Sequence, residues 1–167
     1  PHHRLTPLLP ERVVTHYAYF QQLRRLSESA LVSVRLHLAQ PIEQTQLVLL
    51  ERNRFHWMIR HPDEERHEQA TVLWAVAVDE PDLLLQSKDN LVQLALGDME
   101  QAFPGGSPPR LIEAEIIRLP SAILTAKPST QQCRPLSNGP FTNFLVAGAW
   151  TDTGWPANLE SAILSGQ

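Results

Sequence analysis

Asn143-Phe-Leu-Val-Ala-Gly-Ala-Trp-Thr-Asp-Thr-Gly-Trp-Pro-Ala-Asn-Leu-Glu-Ser-Ala-Ile-Leu-Ser-Gly166 is the stretch on which the reading of this chain turns. The apolar run Phe144 to Ala147 reads as a short strand delivered into Gly148, where the missing side chain lets another group approach the backbone closely. Gly154 and Pro156 then set a turn, with Pro156 where the first residue of a helix tolerates proline. Ala157 to Ser165 carries a helical pattern. Its first-turn amides, around Ala157, Asn158 and Leu159, lack intrahelical acceptors and carry the positive end of the helix dipole. A strand, turn and helix in this order suit an anion or an electron-rich carbonyl edge.

Upstream, the periodicity alternates in type. Thr15 to Ser27 places Tyr17, Phe20, Leu23 and Leu26 at spacings of three, one face of a helix. Leu31 to Leu38 alternates Val32, Val34, Leu36 and Leu38 against Ser33, Arg35 and His37, the pattern of a strand, and Pro41 interrupts it. Thr45 to Leu50, Phe55 to Arg60 and Ala70 to Val78 are further extended runs. The last is so apolar that cover on both faces is expected. Ser87 or Asp89 caps a helix with Val92, Ala95, Leu96, Met99 and Phe103 as its buried stripe, and Pro104, Gly105 and Gly106 stop it. Leu111 to Leu119 returns to strand, and a loop rich in Ser, Pro and Gln covers Lys127 to Pro140. Several strands with few crossover helices predict an α+β fold: a mixed, largely antiparallel sheet, with the helix over Ser87 to Phe103 on one face.

The bulk properties narrow the function classes. A chain of 167 residues suits one domain with a real core. Its net charge of −4 offers no global field for nucleic acid or an anionic membrane. One cysteine, Cys133, excludes an internal disulfide framework and fits a reducing compartment. No run approaches the length of a membrane span, and the start lacks a signal-peptide pattern, so a cytoplasmic location is expected.

The closing segment resembles the C-terminal signature of FAD-dependent squalene and phytoene desaturases and flavin amine oxidases, most closely that of bacterial hydroxysqualene dehydroxylases. Ala147, Gly148, Trp150, Thr151, Thr153, Gly154, Pro156, Ala157, Glu160, Ala162, Ser165 and Gly166 carry the match. Phe55-His56-Trp57 resembles a short aromatic strand of that family's substrate domain. Arg134-Pro135 resembles the Arg-Pro before its last flavin strand, and Pro1-His2-His3 resembles the end of a strand. The resemblance implies a substrate-domain-like region over residues 1–130 and a flavin-binding strand, turn and helix over 131–167. It also implies FAD as cofactor, with Gly148, Ala149, Trp150, Ala157, Asn158 and Leu159 as cofactor-binding residues. Gly148 would pass close to the ribityl–pyrophosphate portion, and the amides near Asn158 and Leu159 would face the N1/O2 edge of the isoalloxazine. The implied substrate is a long apolar isoprenoid, plausibly hydroxysqualene. A carotenoid desaturase or amine oxidase is the alternative within the superfamily. Peripheral contact with the inner face of a membrane is left open, and no catalytic residue is assigned.

Two positions depart from the family. Ala149 stands where relatives carry an acidic residue for the ribityl hydroxyls, and Ser161 stands where they have glycine, which would crowd helix packing. A rival reading is a non-catalytic relative that binds a lipid or a partner, in which Ala149 and Ser161 record a lost flavin site. No G-x-G-x-x-G follows any strand among the seven glycines, so nothing here cradles the ADP half of FAD. That part is expected in a missing N-terminal FAD domain, and this chain alone is expected to be inactive and to hold FAD weakly.

Other residues have plainer readings. His56, His61 and His67, among Glu64, Glu65 and Glu68, lack the spacing of a helical metal pair and read as a solvated loop, with no metal expected. Cys133 reads as incidental. Arg134 suits either a cofactor contact or a surface salt bridge. Phe55, Trp57 and Trp74 suit either the wall of an isoprenoid channel or ordinary core. Thr151-Asp152-Thr153 suits either cofactor contact or, more simply, closure of the turn and capping of the helix.

Overall fold

The computed structural model describes residues 2–42, 47–61, 71–104 and 109–167. The chain forms two compact units, one of Pro1–Glu28 with Ile123–Gln167 and one of Ser29–Ala122.

The second unit is a sheet with one helix on its face. Its strands are β1 (Glu28–Leu38), β2 (Leu47–Leu49), β3 (Trp57–Arg60), β4 (Thr71–Val78) and β5 (Leu111–Leu124), in the spatial order β2-β3-β4-β1-β5. The pairs β1·β4, β3·β4 and β2·β3 are antiparallel. Beside β1, β5 also runs antiparallel: Ala39 N–H donates to Arg110 O at 2.9 Å, and Arg35 meets Glu115 at 3.1 Å. This is the α+β architecture that the sequence predicts. The helix α3 (Lys88–Ala102) starts where Ser87 caps it, the hydroxyl accepting from Asn90 N–H at 3.2 Å, which contributes about 1 kcal/mol.

Register decides which side chains form this core. Val48 lies opposite Met58, Met58 opposite Ala75 and Ala75 opposite Val34. That face packs with Leu91, Val92, Ala95 and Met99 of α3 into one hydrophobic cluster. Two expectations change. Val72 of β4 is buried, but Trp74, Val76 and Val78 are only half covered, so the strand is not enclosed on both faces. Phe55 is wholly buried in the α3-side cluster and so lines no channel. The loop before β3 is pinned there by the buried Asp98 carboxylate, which accepts from Phe55 N–H and Asn53 Nδ2, each at 2.8 Å.

The other unit has a smaller core built of Val14, Phe20, Leu23, Leu26 and Cys133, with Tyr17, Phe141, Phe144 and Trp150 packed around it. The single helix expected over Thr15 to Ser27 is two, α1 (Glu11–His16) and α2 (Ala18–Leu23), with Tyr17 extended between them at φ −99° and ψ 125°. Two polar side chains compete with the helical ladder there. Thr15 Oγ1 donates back to Glu11 O at 2.9 Å, and Gln21 Nε2 takes the Thr15 carbonyl. His2 and His3 open a 3-10 turn, His2–Arg4, instead of ending a strand. The helix α4 (Pro128–Gln131) lies in the stretch read as loop, and α5 (Leu159–Leu164) ends the chain. Gly105 and Gly106, His67 and the three glutamates at 64, 65 and 68, and the first residues of the Thr45 and Ala70 runs lie outside the described residues.

Candidate functional site

The closing segment folds around a turn rather than onto a sheet. Between Phe144 and Ala147 there is one antiparallel bridge, Asn138 to Leu145, in place of the expected strand. Among the described residues, the segment pairs with residues 137–139 alone, through Val146 N–H to Ser137 O at 2.9 Å and Gly139 N–H to Phe144 O at 3.0 Å. α5 begins two residues later than expected. Asn158 is its cap, extended at φ −136°, with Oδ1 accepting from Ser161 N–H at 2.9 Å. Capping therefore falls to Asn158 and not to Thr151-Asp152-Thr153, which closes the turn. Thr151 returns both its N–H, at 3.0 Å, and its hydroxyl, at 2.9 Å, to Gly148 O. Asp152 Oδ1 accepts from Gly154 N–H at 3.2 Å and Gln131 Nε2 at 3.1 Å. Its carboxylate is thereby held within the turn and does not substitute for an acid at position 149.

Gly148 and Gly154 both have positive φ, +146° and +79°. A side chain at Gly148 would start 2.5 Å from Trp150 Nε1, whereas one at Gly154 would meet nothing within 4 Å. The demand for glycine at 148 thus arises inside the turn, from its backbone and from the indole over it. Gly148 N–H itself donates to Ser165 Oγ at 2.7 Å. Trp150 is half-buried, with its ring centroid 6.3 Å from that of His2.

Arg134 holds this turn from within. It is not a surface ion-pair residue: its relative exposure is 6%, and it bonds to uncharged acceptors. Nη1 donates to Gln131 Oε1 at 2.8 Å and to Trp155 O; Nη2 donates to Ala149 O at 3.1 Å, to Thr151 O and to Ser161 Oγ at 3.0 Å. Ser161, wholly buried, also bonds Thr153 Oγ1 at 2.8 Å. The hydroxyl that seemed an intrusion on helix packing is a bonded part of the turn. Among the described residues, the N–H groups of Ala149, Trp150, Ala157, Asn158, Leu159 and Glu160 find no acceptor. The Gly148, Ala149, Thr151 and Trp155 carbonyls are bonded within the turn or to Arg134, and these six amides remain as donors. That donor set fits an acceptor-rich ligand, such as a pyrophosphate or the carbonyl edge of a flavin.

A family model, flavin containing amine oxidoreductase, matches residues 2–167. The chain belongs to that family. It is similar to the 15-cis-phytoene desaturase of Synechococcus elongatus, at 26% identity over 89% of this chain and 33% of that protein. It is likewise similar to the chloroplastic/chromoplastic 15-cis-phytoene desaturase of an Oncidium hybrid cultivar, at 25% identity over 96% and 29%. Among solved structures, a putative protoporphyrinogen oxidase from Exiguobacterium sp. 255-15 superposes with a TM-score of 0.69 at 20% identity, covering 99% of this chain and 37% of that one. That likeness is one of fold. The chain spans about a third of the length of these relatives.

The second unit carries a separate surface of note. Leu47 lies opposite Ile59, which lies opposite Trp74; Leu49 lies opposite Trp57, which lies opposite Val76. These six apolar side chains share the sheet face turned away from α3, with Leu47 50% and Leu49 64% exposed. At its β1 side Arg35 stacks 5.7 Å from the Trp74 ring centre and pairs with Glu115 at 3.1 Å. Cys133 is core, and among the described residues no group of three His, Cys, Asp or Glu is placed to hold a metal. No described helix is long and apolar enough to cross a membrane.

Proposed function

We propose that this chain supplies the substrate domain, residues 1–130, and the closing flavin segment, residues 131–167, of an FAD-dependent oxidoreductase acting on a long apolar isoprenoid. The observation that carries the reading is the turn from Gly148 to Leu159, in which the Gly148, Ala149, Thr151 and Trp155 carbonyls are bonded within the turn or to Arg134 while the amides of Ala149, Trp150, Ala157, Asn158 and Leu159 stay free to donate. Gly148, Ala149, Trp150, Ala157, Asn158 and Leu159 would hold the flavin, and an N-terminal FAD domain of the same protein would hold its ADP half. When bound, FAD supplies two-electron chemistry in either direction. This chain's residues bind and orient it, and first-turn amides favour negative charge on the reduced ring by about 0.3–1 kcal/mol.

The apolar sheet face supports the substrate class. Leu47, Leu49, Trp57, Ile59, Trp74 and Val76 form a continuous surface of the kind a polyisoprene needs. The similarity to phytoene desaturases supports a carotene precursor, and the wording of the closing segment supports hydroxysqualene. Both are tested with the complete polypeptide, purified with FAD and kept free of oxygen. Phytoene should bleach the oxidised flavin band, or hydroxysqualene should restore it from the reduced state. Bleaching by a primary amine and by neither isoprenoid would make the protein an amine oxidase. A complete polypeptide that binds no FAD would leave the non-catalytic lipid- or partner-binding relative as the correct reading.

A further inference from the structure

We infer that Arg134, acting with Ser161 and Thr153, is the positioning residue of the flavin turn: it fixes the turn's shape and lends a positive charge to the reduced cofactor. The inference rests on the flavin reading above.

Three backbone carbonyls, of Ala149, Thr151 and Trp155, converge on one guanidinium together with the Ser161 hydroxyl and Gln131 Oε1. These residues are spread from Gln131 to Ser161, and a planar fork with several donors reaches them at once. A carbonyl drawn inward turns its peptide plane, so the contact that engages the Ala149 oxygen sets where the Trp150 N–H points, while the Asp152 N–H on the Thr151 peptide is taken by Pro135 O at 2.7 Å. The free Trp150 amide is in this sense an imprint of Arg134. Ser161 extends the network: its hydroxyl accepts from Nη2 at 3.0 Å and bonds Thr153 Oγ1 at 2.8 Å, tying α5 to the turn.

The charge has a second consequence. No described carboxylate pairs with Arg134, whose partners are all uncharged, and its Nε–H is buried without an acceptor. A cation in this state, 6% exposed, is weakly screened by water and favours a nearby anion. A reduced flavin carries negative charge and an oxidised one does not, so Arg134 favours the reduced form.

The test uses the complete polypeptide with Arg134→Lys, Arg134→Gln and Ser161→Ala, measuring the FAD dissociation constant, the flavin reduction potential and the melting temperature of the apoprotein. Arg134→Lys keeps the charge and loses the fork, and should weaken FAD binding about tenfold with little change in potential. Arg134→Gln should weaken binding at least as much. It should also cut the preference for reduced over oxidised flavin about tenfold, a potential lower by about 30 mV for a two-electron couple. Ser161→Ala removes one hydroxyl from a buried position and should weaken FAD binding about threefold; it decides the matter if neither arginine variant folds. Lower melting temperatures with unchanged affinity and potential would make Arg134 a purely structural residue and overturn the inference. A wild-type polypeptide that binds no FAD would bring down the flavin reading, and this inference with it, whereas unchanged variants of a flavin-loaded protein bring down this inference alone.

Discussion

Gly148→Ala separates two causes that a flavin enzyme ordinarily confounds. The glycine can be required because the cofactor lies against it, or because the turn itself admits no side chain. The structure makes the second cause quantitative. A Cβ at 148 would sit 2.5 Å from Trp150 Nε1 and 2.9 Å from Cδ1, on a backbone whose φ is +146°. The backbone part costs on the order of 1–3 kcal/mol for a residue with a side chain. The steric part forces the indole away from His2 and from the smaller core it packs against, for roughly another 1–3 kcal/mol. Gly148→Ala is therefore expected to destabilise the apoprotein by about 2–6 kcal/mol. In a Trp150→Ala background the steric part should vanish and only the backbone part, about 1–3 kcal/mol, should remain. Urea unfolding of the four proteins of this cycle, as the complete polypeptide stripped of flavin, measures both parts. Equal costs in the two backgrounds would show that Trp150 is not what the side chain meets. A cost below about 0.5 kcal/mol in the apoprotein would refute the reasoning altogether and return the glycine to the cofactor.

Two further perturbations probe the same unit. Ala149→Asp in the complete polypeptide should tighten FAD binding by about 1 kcal/mol or more, read as a fivefold or larger drop in dissociation constant, because a charged acceptor would meet the ribityl hydroxyls; no change would mean that another residue already fills that role. Tyr19 donates its hydroxyl to Leu136 O at 2.9 Å, and burial pushes its pKa up to about 12. Since the folded value lies above the unfolded one, the stability this phenol contributes is complete below about pH 10 and is lost as pH rises from there through 12. An ultraviolet titration compared with Tyr19→Phe should show one tyrosine ionising only near the upper value, and ionisation of that tyrosine near pH 10 would contradict it.

The parts of this fold that were legible in the sequence are those whose cause is local. The Val32, Val34, Leu36 and Leu38 alternation gives β1, and Ser87 with its apolar stripe gives α3, because period and cap are written within one element. The faces of the sheet were less legible. Phe55 and Trp57 are both large and apolar, and nothing in their own stretch says which belongs to the core. Parity within the ladder decides it, putting Trp57 opposite Val76 and Met58 opposite Ala75, and a slip of one residue would exchange the two sets. The buried Asp98 that holds Phe55 lies 43 residues away, beyond any local signal.

The turn shows the same division more sharply. Its glycines, its proline and its closing threonine mark a tight bend, and the bend is there. What organises it is Arg134, which lies before the turn in a stretch of loop-like composition and has the residue type least expected in an interior. Burial of an arginine is tolerated when most of its donors are met, and here carbonyls up to 21 residues downstream meet its Nη donors, leaving Nε–H without an acceptor. Composition counts such a residue as surface charge, and motif matching counts Ser161 as a mismatch. The two are one interaction, at 3.0 Å. A hydroxyl at 161 is therefore best judged by its partner: where Arg134 is present, it completes a network, and where the arginine is lost, the same buried hydroxyl loses its charged donor and keeps only Thr153. The effects of Ser161→Ala and Arg134→Gln on FAD binding should accordingly fall short of additive when combined, since the second change removes what the first had already weakened.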